Sequence, residues 1–330
     1  MTKVFVTGAS GFIAKHILRE LLEKGYEVRA SIRSEKRKSE IEELFPDAKL
    51  EFAFLDLGKD EGWDAAMQGC DVLMHTASPF PLSEPKDPQD LIRPAVDGTL
   101  RAMRAAQAAG IKRVILTSSC AAIYKQADKP PMQPSDETNW TTADAPFVGA
   151  YEASKTLAEK AAWDFVAENP DIALTTINPG AVFGTPMDAR YGSSLEIVEQ
   201  LMEGKIPLAP PIDLIAVDVR DVAMMHVAAI DLEAAKGERF AAVADTHQFI
   251  ALAQMIKDWD ASAKTPKREA PVWLIKIFAL FMADMKAIRG NIGRTSAVSG
   301  AKAEKTFGFN FIPVRDALIA SAEAVRSYRS

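Results

Sequence analysis

The chain has 330 residues, of which 48% are hydrophobic and 25% are charged, and its formal net charge is -6. This length buries a large core, as one large domain or two smaller ones, and the negative charge argues against a nucleic-acid partner, which requires a basic surface. The only cysteines are Cys70 and Cys120. Two isolated cysteines form neither a disulfide framework nor a metal site, so we expect a reduced, cytoplasmic compartment.

Neither the start of the chain nor its most apolar stretch has the pattern of a membrane segment. The apolar run Val4–Val6 follows Met1 almost directly, without the charged and apolar leader of a secretory signal. The most apolar stretch, Val272–Ala283, is too short to cross a bilayer and contains Lys276. We therefore expect a buried or interface helix there, and no membrane partner.

Short β-branched runs alternate with amphipathic segments from the start of the chain. Such alternation requires crossover connections, which are nearly always right-handed, and it predicts a parallel sheet. The expected fold class is α/β, with a doubly wound parallel sheet of the Rossmann type. The predicted strands are Val4–Val6, Val28–Ile32, Leu50–Leu55, Val72–His75, Arg113–Thr117 and Ala173–Ile177.

The alternation weakens after Ile177, where a smaller C-terminal substrate lobe is expected. Asp218–Leu232 has the pattern of a helix, and Arg239–Val243 has that of a strand that rejoins the sheet. The predicted dinucleotide-binding domain is 1–179, completed by 217–247, and the predicted substrate-binding lobe is 180–216 with 248–330.

One predicted helix, Asp90–Ala109, contains two residues that are poor in helix interiors, Pro94 and Gly98. Proline is tolerated in the first turn of a helix because its missing N–H would be unpaired there in any case. We therefore expect this helix to begin near Asp90–Leu91, or to kink there.

A glycine-rich turn, Thr7-Gly8-Ala9-Ser10-Gly11-Phe12-Ile13-Ala14, follows the first strand and opens the first helix. Gly8 permits a tight turn, and Gly11 lets a pyrophosphate approach the N–H groups at the helix N-terminus. The alternative is a purely structural turn, but the strand before it and the helix after it favour a dinucleotide. Ser10, Phe12 and Ile13 are the further cofactor contacts that we expect in this turn.

The end of the second strand indicates which dinucleotide binds. An NAD site usually has an acidic residue there for the ribose 2′-OH, whereas this chain has Ile32 followed by Arg33. Arginine binds a 2′-phosphate through two parallel hydrogen bonds, so this strand end favours NADPH over NADH. The basic run Lys36–Lys38 is also explained as a solvated turn. Asp56-Leu57 is either an adenine contact or a loop cap.

Tyr151 and Lys155 lie four residues apart on a predicted helix, so they share one face. Reduction of a carbonyl needs a proton on oxygen, and a neighbouring ammonium is expected to lower the phenol pKa from about 10. Ser118 and Ser119 end the fifth strand, at the edge of a parallel sheet where ligands bind. A serine hydroxyl there is suited to hydrogen-bond a substrate oxygen, although strand-end serines are more often turn formers.

Together these motifs resemble the extended short-chain dehydrogenases/reductases, within them the dihydroflavonol reductase, cinnamoyl-CoA reductase and aldehyde reductase group. The resemblance implies that Ser119, Tyr151 and Lys155 are catalytic, with Ser118 as the alternative serine. The chain differs from the family pattern at Ala14, where glycine is common, and in the substrate lobe. The cofactor-lining residues that the resemblance implies are Arg33, Asp56, Leu57, Thr76, Ala77, Ser78, Ser118, Tyr151, Lys155, Pro179 and Gly180.

The implied function is NADPH-dependent reduction of a small or medium-sized aldehyde or ketone, and the implied assembly is a homodimer. A sugar-nucleotide epimerase or dehydratase that retains NAD, and a non-catalytic NADPH-binding regulator, are the alternatives. We predict no metal, because the four histidines show no ligand spacing, and His75 is expected to be a packed residue. Four aromatic residues either line an apolar pocket or are ordinary packing residues: Phe80, Tyr124, Phe147 and Tyr191.

Overall fold

The computed structural model describes residues 1–79, 85–130, 132–280 and 289–328. Its main feature is a seven-stranded parallel sheet in the order β3-β2-β1-β4-β5-β6-β9. The order reverses between β1 and β4, which is where open α/β sheets bind ligands at the carboxyl ends of their strands. The strands of this sheet are β1 (Lys3–Thr7), β2 (Glu27–Ile32), β3 (Leu50–Phe54), β4 (Val72–His75), β5 (Arg113–Thr117), β6 (Ala173–Pro179) and β9 (Glu238–Ala242).

Helices cover both faces of this sheet. On one face, Leu18 of α1 and Val222 of α7 pack in a single apolar cluster with β1 and β2. On the other, Met103 of α4 and Ala162 of α5 pack against Phe5 and Leu116. The helices are α1 (Phe12–Glu23), α2 (Glu35–Leu44), α3 (Trp63–Met67), α4 (Gln89–Ala108), α5 (Ala150–Glu168), α6 (Ser193–Glu203), α7 (Val219–Ala228), α8 (Phe249–Trp259), α9 (Val272–Phe278), α10 (Ala301–Phe307) and α11 (Val314–Ser327).

A smaller sheet forms the centre of the C-terminal lobe. It contains β7 (Ala181–Phe183), β8 (Asp213–Asp218) and β10 (Asp245–Gln248) in the order β10-β8-β7. A third apolar cluster joins this sheet to α6, α8 and α11 through buried residues such as Leu201, Leu252 and Leu318. The lobe therefore has its own core, and it lies beyond the carboxyl end of β6.

The six strands predicted before residue 178 are all present, with ends within two residues of the expectation, and Glu238–Ala242 rejoins the sheet as predicted. The helix with Pro94 begins at Gln89, one residue before the predicted start. The helix predicted over Asp218–Leu232 is shorter in the structure than expected and spans Val219–Ala228. The Arg113 guanidinium donates to the carbonyl of Ala229 and thereby satisfies the backbone at this end.

The apolar segment Val272–Ala283 differs from the expectation. In its described part, α9 buries Ile275, whereas Trp273 is 62% exposed and Ile277 is 47% exposed. Of the two predicted alternatives, a buried helix is therefore wrong there and an interface helix stays a prediction; residues 281–283 lie outside the described residues. None of the helices in the described ranges is both long and apolar enough to cross a bilayer.

Candidate active site

The glycine turn leads directly into α1, whose N-terminus has no side-chain cap, and the first N–H groups of a helix have no partner within it. Gly8 has a φ of +65°, and a Cβ there would lie 3.0 Å from the backbone of Ala77, so only glycine fits. Gly11 is the N-cap of α1 without a side-chain cap, and it donates its own N–H to the Gly8 carbonyl at 2.9 Å. The free helix N-terminus favours an anion, so the turn fits the pyrophosphate of a dinucleotide.

A cavity of about 490 Å³ extends from this turn to the end of β2. We call it the arginine cavity, because Arg33, Arg37 and Arg190 line it. Ser10, Leu57 and Thr76 also line it, together with Ala77 and Ser78, as the sequence predicted for a cofactor cleft. Three guanidinium groups at one end give this cleft the charge that a 2′-phosphate requires.

Asp56 does not line the arginine cavity. Its side chain is exposed and accepts the N–H of Gly58 at 2.8 Å, which is the loop cap considered as the alternative to an adenine contact. Leu57 is buried and packs against Gly98, where a Cβ would lie 2.5 Å from the Leu57 Cγ. This close contact explains why a glycine stands in the interior of α4.

The second cavity, of about 460 Å³, contains the predicted reacting groups and is called here the tyrosine cavity. Ser119, Tyr151 and Lys155 line it, together with Ser118. It shares Gly8, Gly11, Thr76 and Ser78 with the arginine cavity, so the two form one continuous cleft. The other predicted cofactor residues in its wall are Phe12, Ile13, Pro179 and Gly180.

Tyr151 lies near the start of α5 and hydrogen-bonds to the Ser119 side chain. Burial raises the pKa of Tyr151 to about 12, while the Ser119 hydrogen bond acts in the opposite direction. The predicted lowering of this pKa by Lys155 is therefore wrong for the chain by itself. The phenol keeps its proton at neutral pH, which is the form that a proton donor needs.

Lys155 lies one turn after Tyr151 and is buried. Its Nζ is 5.8 Å from the centre of the Tyr151 ring, and it donates to Ser78 Oγ at 2.9 Å. Burial lowers the pKa of Lys155 to about 8, although the charge of Glu159 raises it. The ammonium thus donates to a residue in the shared part of the cleft, and burial is the main influence on the phenol pKa.

The two candidate serines have different partners. Ser119 Oγ accepts the N–H of Ala121 at 3.1 Å and faces Tyr151. Ser118 donates to Glu159 Oε2 at 2.5 Å, beneath the cavity floor. This geometry favours Ser119 over Ser118 as the serine that reaches a substrate.

Glu159 belongs to a buried polar network that the sequence analysis missed. It accepts from Arg239 Nε at 2.6 Å and from Asn178 Nδ2 at 2.6 Å, and its side chain is fully buried. Asn178 Nδ2 also lies 3.1 Å from the Ser119 carbonyl. The spacing Tyr151, Lys155, Glu159 along one face of α5 was a signal for this residue, but its partner Arg239 is remote in sequence.

Segments of the C-terminal lobe close the tyrosine cavity. They contribute Ser193, Ile197, Ile212, Leu214 and Asn291 to its wall. Of the predicted aromatic lining, Tyr124 is present, whereas Phe147 lies under the Arg294 guanidinium and Tyr191 hydrogen-bonds to Glu199. Phe80 lies outside the described residues.

His75 is a packed residue, as expected. It is 1% exposed, and its Nδ1 lies 2.8 Å from Thr7 Oγ1. The same Thr7 hydroxyl accepts the N–H groups of Thr76 and Ala77, so its proton is donated to His75. Burial lowers the pKa of His75 to about 3, which excludes a proton-transfer role near neutral pH.

Comparison with known proteins places this geometry among reductases. The profile of the NAD dependent epimerase/dehydratase family matches residues 4–242. An NADPH-dependent methylglyoxal reductase of Saccharomyces cerevisiae is 37% identical over 266 residues, covering 72% of this chain and 76% of that protein. A cinnamoyl-CoA reductase of Medicago truncatula is 36% identical over 274 residues, covering 80% and 83% respectively.

Solved structures agree with this. The crystal structure of yeast methylglyoxal/isovaleraldehyde reductase in complex with NADPH superposes with a TM-score of 0.82 at 28% identity, covering 99% of each chain. A UDP-glucose-4-epimerase structure from Stenotrophomonas maltophila, with bound NAD, has a TM-score of 0.78 at 19% identity and shows the shared fold only.

Proposed function

Because the chain belongs to the NAD dependent epimerase/dehydratase family, we propose that it is an NADPH-dependent reductase of small or medium-sized aldehydes or ketones. The observation that carries this proposal is the continuous cleft, which has three arginines at one end and Ser119, Tyr151 and Lys155 at the other. The relatives that are 35–38% identical include several reductases, named for methylglyoxal, cinnamoyl-CoA and other carbonyl substrates.

The residues divide the chemistry between them. NADPH, when bound, supplies a hydride to the carbonyl carbon. Tyr151 donates its proton to the carbonyl oxygen, and Ser119 hydrogen-bonds the same oxygen as negative charge develops on it. Lys155 and Ser78, already paired at 2.9 Å, hold the ribose next to the nicotinamide. Gly8 and Gly11 bind the pyrophosphate, and Arg33 binds the 2′-phosphate.

The smaller lobe selects the substrate in this proposal. The proposed substrate-binding lobe is residues 180–216 and 248–330, extended from the predicted bounds to include all of β8 and β10, whose sheet forms its centre. The proposed dinucleotide-binding domain is then residues 1–179, completed by the part of 217–247 that lies between those two strands. Support comes from the cavity wall, where Ile197, Leu214 and Asn291 line the same cavity as Ser119 and Tyr151. A cavity of about 460 Å³ would accommodate a small carbonyl compound beside the nicotinamide that it would also receive.

The proposal is tested with purified protein, by following NADPH absorbance with a panel that contains methylglyoxal, isovaleraldehyde, cinnamoyl-CoA and simple ketones. We expect turnover with at least one carbonyl compound, and much weaker turnover with NADH. Tyr151→Phe should lower kcat by about 10²-fold or more, because it removes a general acid. Its NADPH dissociation constant should stay close to that of the wild type.

Tyr124→Phe is the matched control, because Tyr124 lines the same cavity and its hydroxyl bonds to Glu152. That variant should keep most of the turnover. Equal losses in both variants would contradict the assignment of Tyr151 as proton donor. NAD that stays bound through purification would favour the epimerase or dehydratase alternative, and NADPH binding without any turnover would favour a regulator.

The homodimer and the cytoplasmic location stay proposals. Both described cysteines, Cys70 and Cys120, are buried and free, as a reducing compartment would keep them. Sedimentation analysis of the purified protein at micromolar concentration measures the assembly directly. A single species of monomer mass would contradict the homodimer.

A further inference from the structure

Arg190 lies in the C-terminal lobe, yet it lines the arginine cavity beside Arg33 and Arg37. It belongs to the loop between β7 and α6, far along the chain from the other two arginines. Its side chain is 39% exposed, so it is accessible from the cleft. No motif around it predicts a role in binding the cofactor.

The position of Arg190 is set by a partly buried ion pair between Lys15 and Asp188. Lys15 of α1, whose side chain is 1% exposed, donates from Nζ to both carboxylate oxygens of Asp188, at 2.5 and 2.6 Å. Asp188 Oδ1 in turn accepts the backbone N–H of Arg190 at 3.0 Å. The helix that follows the glycine turn therefore holds the lobe loop at the rim of the cleft, with Arg190 facing the basic end.

A single carboxylate currently bridges two of the arginines. Glu40 of α2 accepts from Arg37 Nη1 at 2.7 and 2.9 Å, and its Oε1 lies 3.4 Å from Arg190 Nη2. Glu40 itself is not part of the cavity wall. The shared carboxylate shows that the two guanidinium groups come within hydrogen-bonding reach of one acceptor, and because both also line the cavity, a phosphate there would compete with Glu40 for their donors.

We propose that Arg190 is a further residue that binds the cofactor 2′-phosphate and determines the preference for NADPH over NADH. The substrate lobe then contributes directly to cofactor selection, through a residue that Lys15 and Asp188 position. This inference rests on the proposed function, because it assumes that the 2′-phosphate lies in the arginine cavity.

The test measures binding of two fragments, 2′,5′-ADP and 5′-AMP, to the full chain by calorimetry, so that no turnover is needed. These fragments differ only in the 2′-phosphate. Arg190→Gln should weaken the binding of 2′,5′-ADP by about tenfold, as expected for loss of one charge-assisted hydrogen-bonding group, and leave 5′-AMP within about twofold. Arg315→Gln, a change of the same charge at an exposed arginine in neither cavity wall, should affect neither fragment.

Arg33→Ser separates this inference from the proposal beneath it. If the wild type binds both fragments equally, the phosphate assignment of the whole cavity is wrong. If the wild type prefers 2′,5′-ADP, Arg33→Ser removes that preference and Arg190→Gln retains it, the role of Arg190 alone is overturned. A loss with Arg190→Gln that equals the loss with Arg315→Gln would also overturn it, since it would reflect net charge only.

Discussion

Glu159 and Arg239 form a buried ion pair beneath the active-site cleft, with the Arg239 Nε 2.6 Å from Glu159 Oε1. The guanidinium also donates to the backbone carbonyls of Glu137 and Asn139 and stacks 3.5 Å from the centre of the Trp140 ring. This pair joins the last strand of the main sheet to the helix that carries Tyr151. It therefore holds the helix that carries Tyr151 and Lys155 in place against the sheet.

Glu159→Gln should lower the free energy of unfolding by about 3–5 kcal/mol, because it leaves a buried guanidinium without its counter-charge. Urea unfolding monitored by circular dichroism measures this change. Glu233→Gln is the control: it breaks the exposed pair with Lys236, in which the glutamate side chain is 84% exposed, and should change stability by less than about 1 kcal/mol. Similar losses of unfolding free energy in the two variants would show that the buried ion pair contributes no more to stability than the exposed pair.

As pH rises, turnover should respond to deprotonation of Lys155 before it responds to deprotonation of Tyr151. Since the pKa of Lys155 is lowered to about 8 and that of Tyr151 is raised to about 12, the ammonium loses its charge first as pH rises. We expect kcat/KM for carbonyl reduction to fall above about pH 8, and Lys155→Arg to move that alkaline limb to higher pH. Because the charge of Glu159 raises the Lys155 pKa, Glu159→Gln should move it to lower pH. An alkaline limb that neither substitution moves would contradict this assignment.

The sequence predicted the main sheet well because its strands are buried on both faces and appear as continuous apolar runs. Val4, Phe5 and Val6 of β1 are fully buried, for example. The strands of the smaller sheet were missed. β10 has the polar sequence Asp-Thr-His-Gln, and β7 has three residues, so neither carries a periodic signal.

The residues of the candidate site likewise divide into those that the sequence predicted and those that it did not. The glycine turn, Arg33 and the Tyr151–Lys155 pair are local patterns, and the structure brings them to one cleft. Glu159 and Arg190 act through partners that are 80 and 150 residues away, Arg239 and Glu40 respectively. Such contacts follow from the topology of the sheet and the lobe, and no spacing along a single helix or strand reveals them.

Gly98→Ala should disturb the cofactor cleft from outside it. The added Cβ would lie 2.5 Å from Leu57 Cγ, and Leu57 lines the arginine cavity. Overpacking of this kind costs about 1–3 kcal/mol, which exceeds or offsets the gain of about 1 kcal/mol in helix propensity. We expect a higher NADPH dissociation constant, measured by fluorescence titration.

A double-mutant cycle with Leu57→Ala supplies the control for this prediction. Leu57→Ala alone should destabilise the protein by about 2–5 kcal/mol, because it empties a buried site. In the Gly98→Ala background it should cost less, since it also relieves the clash, with a coupling free energy of about 1 kcal/mol or more. Strict additivity of the two changes would show that the alanine is accommodated without displacing Leu57.

Three buried histidines should make the fold sensitive to mild acid. Burial lowers the pKa of His75 to about 3, and those of His16 and His226 to about 4. An unfolded chain binds these protons near pH 6.5, so the unfolded state takes up more protons than the native state between about pH 6.5 and 4. The free energy of unfolding should therefore fall as pH drops through this range.

His226 allows this to be measured at one site. Its Nδ1–H donates to the Val222 carbonyl at 2.7 Å, so its Nε2 accepts from Thr117 Oγ1 at 2.7 Å, and the neutral ring is held between fixed partners. His226→Gln should lower stability at pH 7 yet reduce the further loss between pH 7 and pH 5 by about 1–2 kcal/mol, since each pKa unit corresponds to about 1.4 kcal/mol. If His226→Gln preserves the wild-type pH dependence of urea unfolding, His226 is not a source of the acid sensitivity.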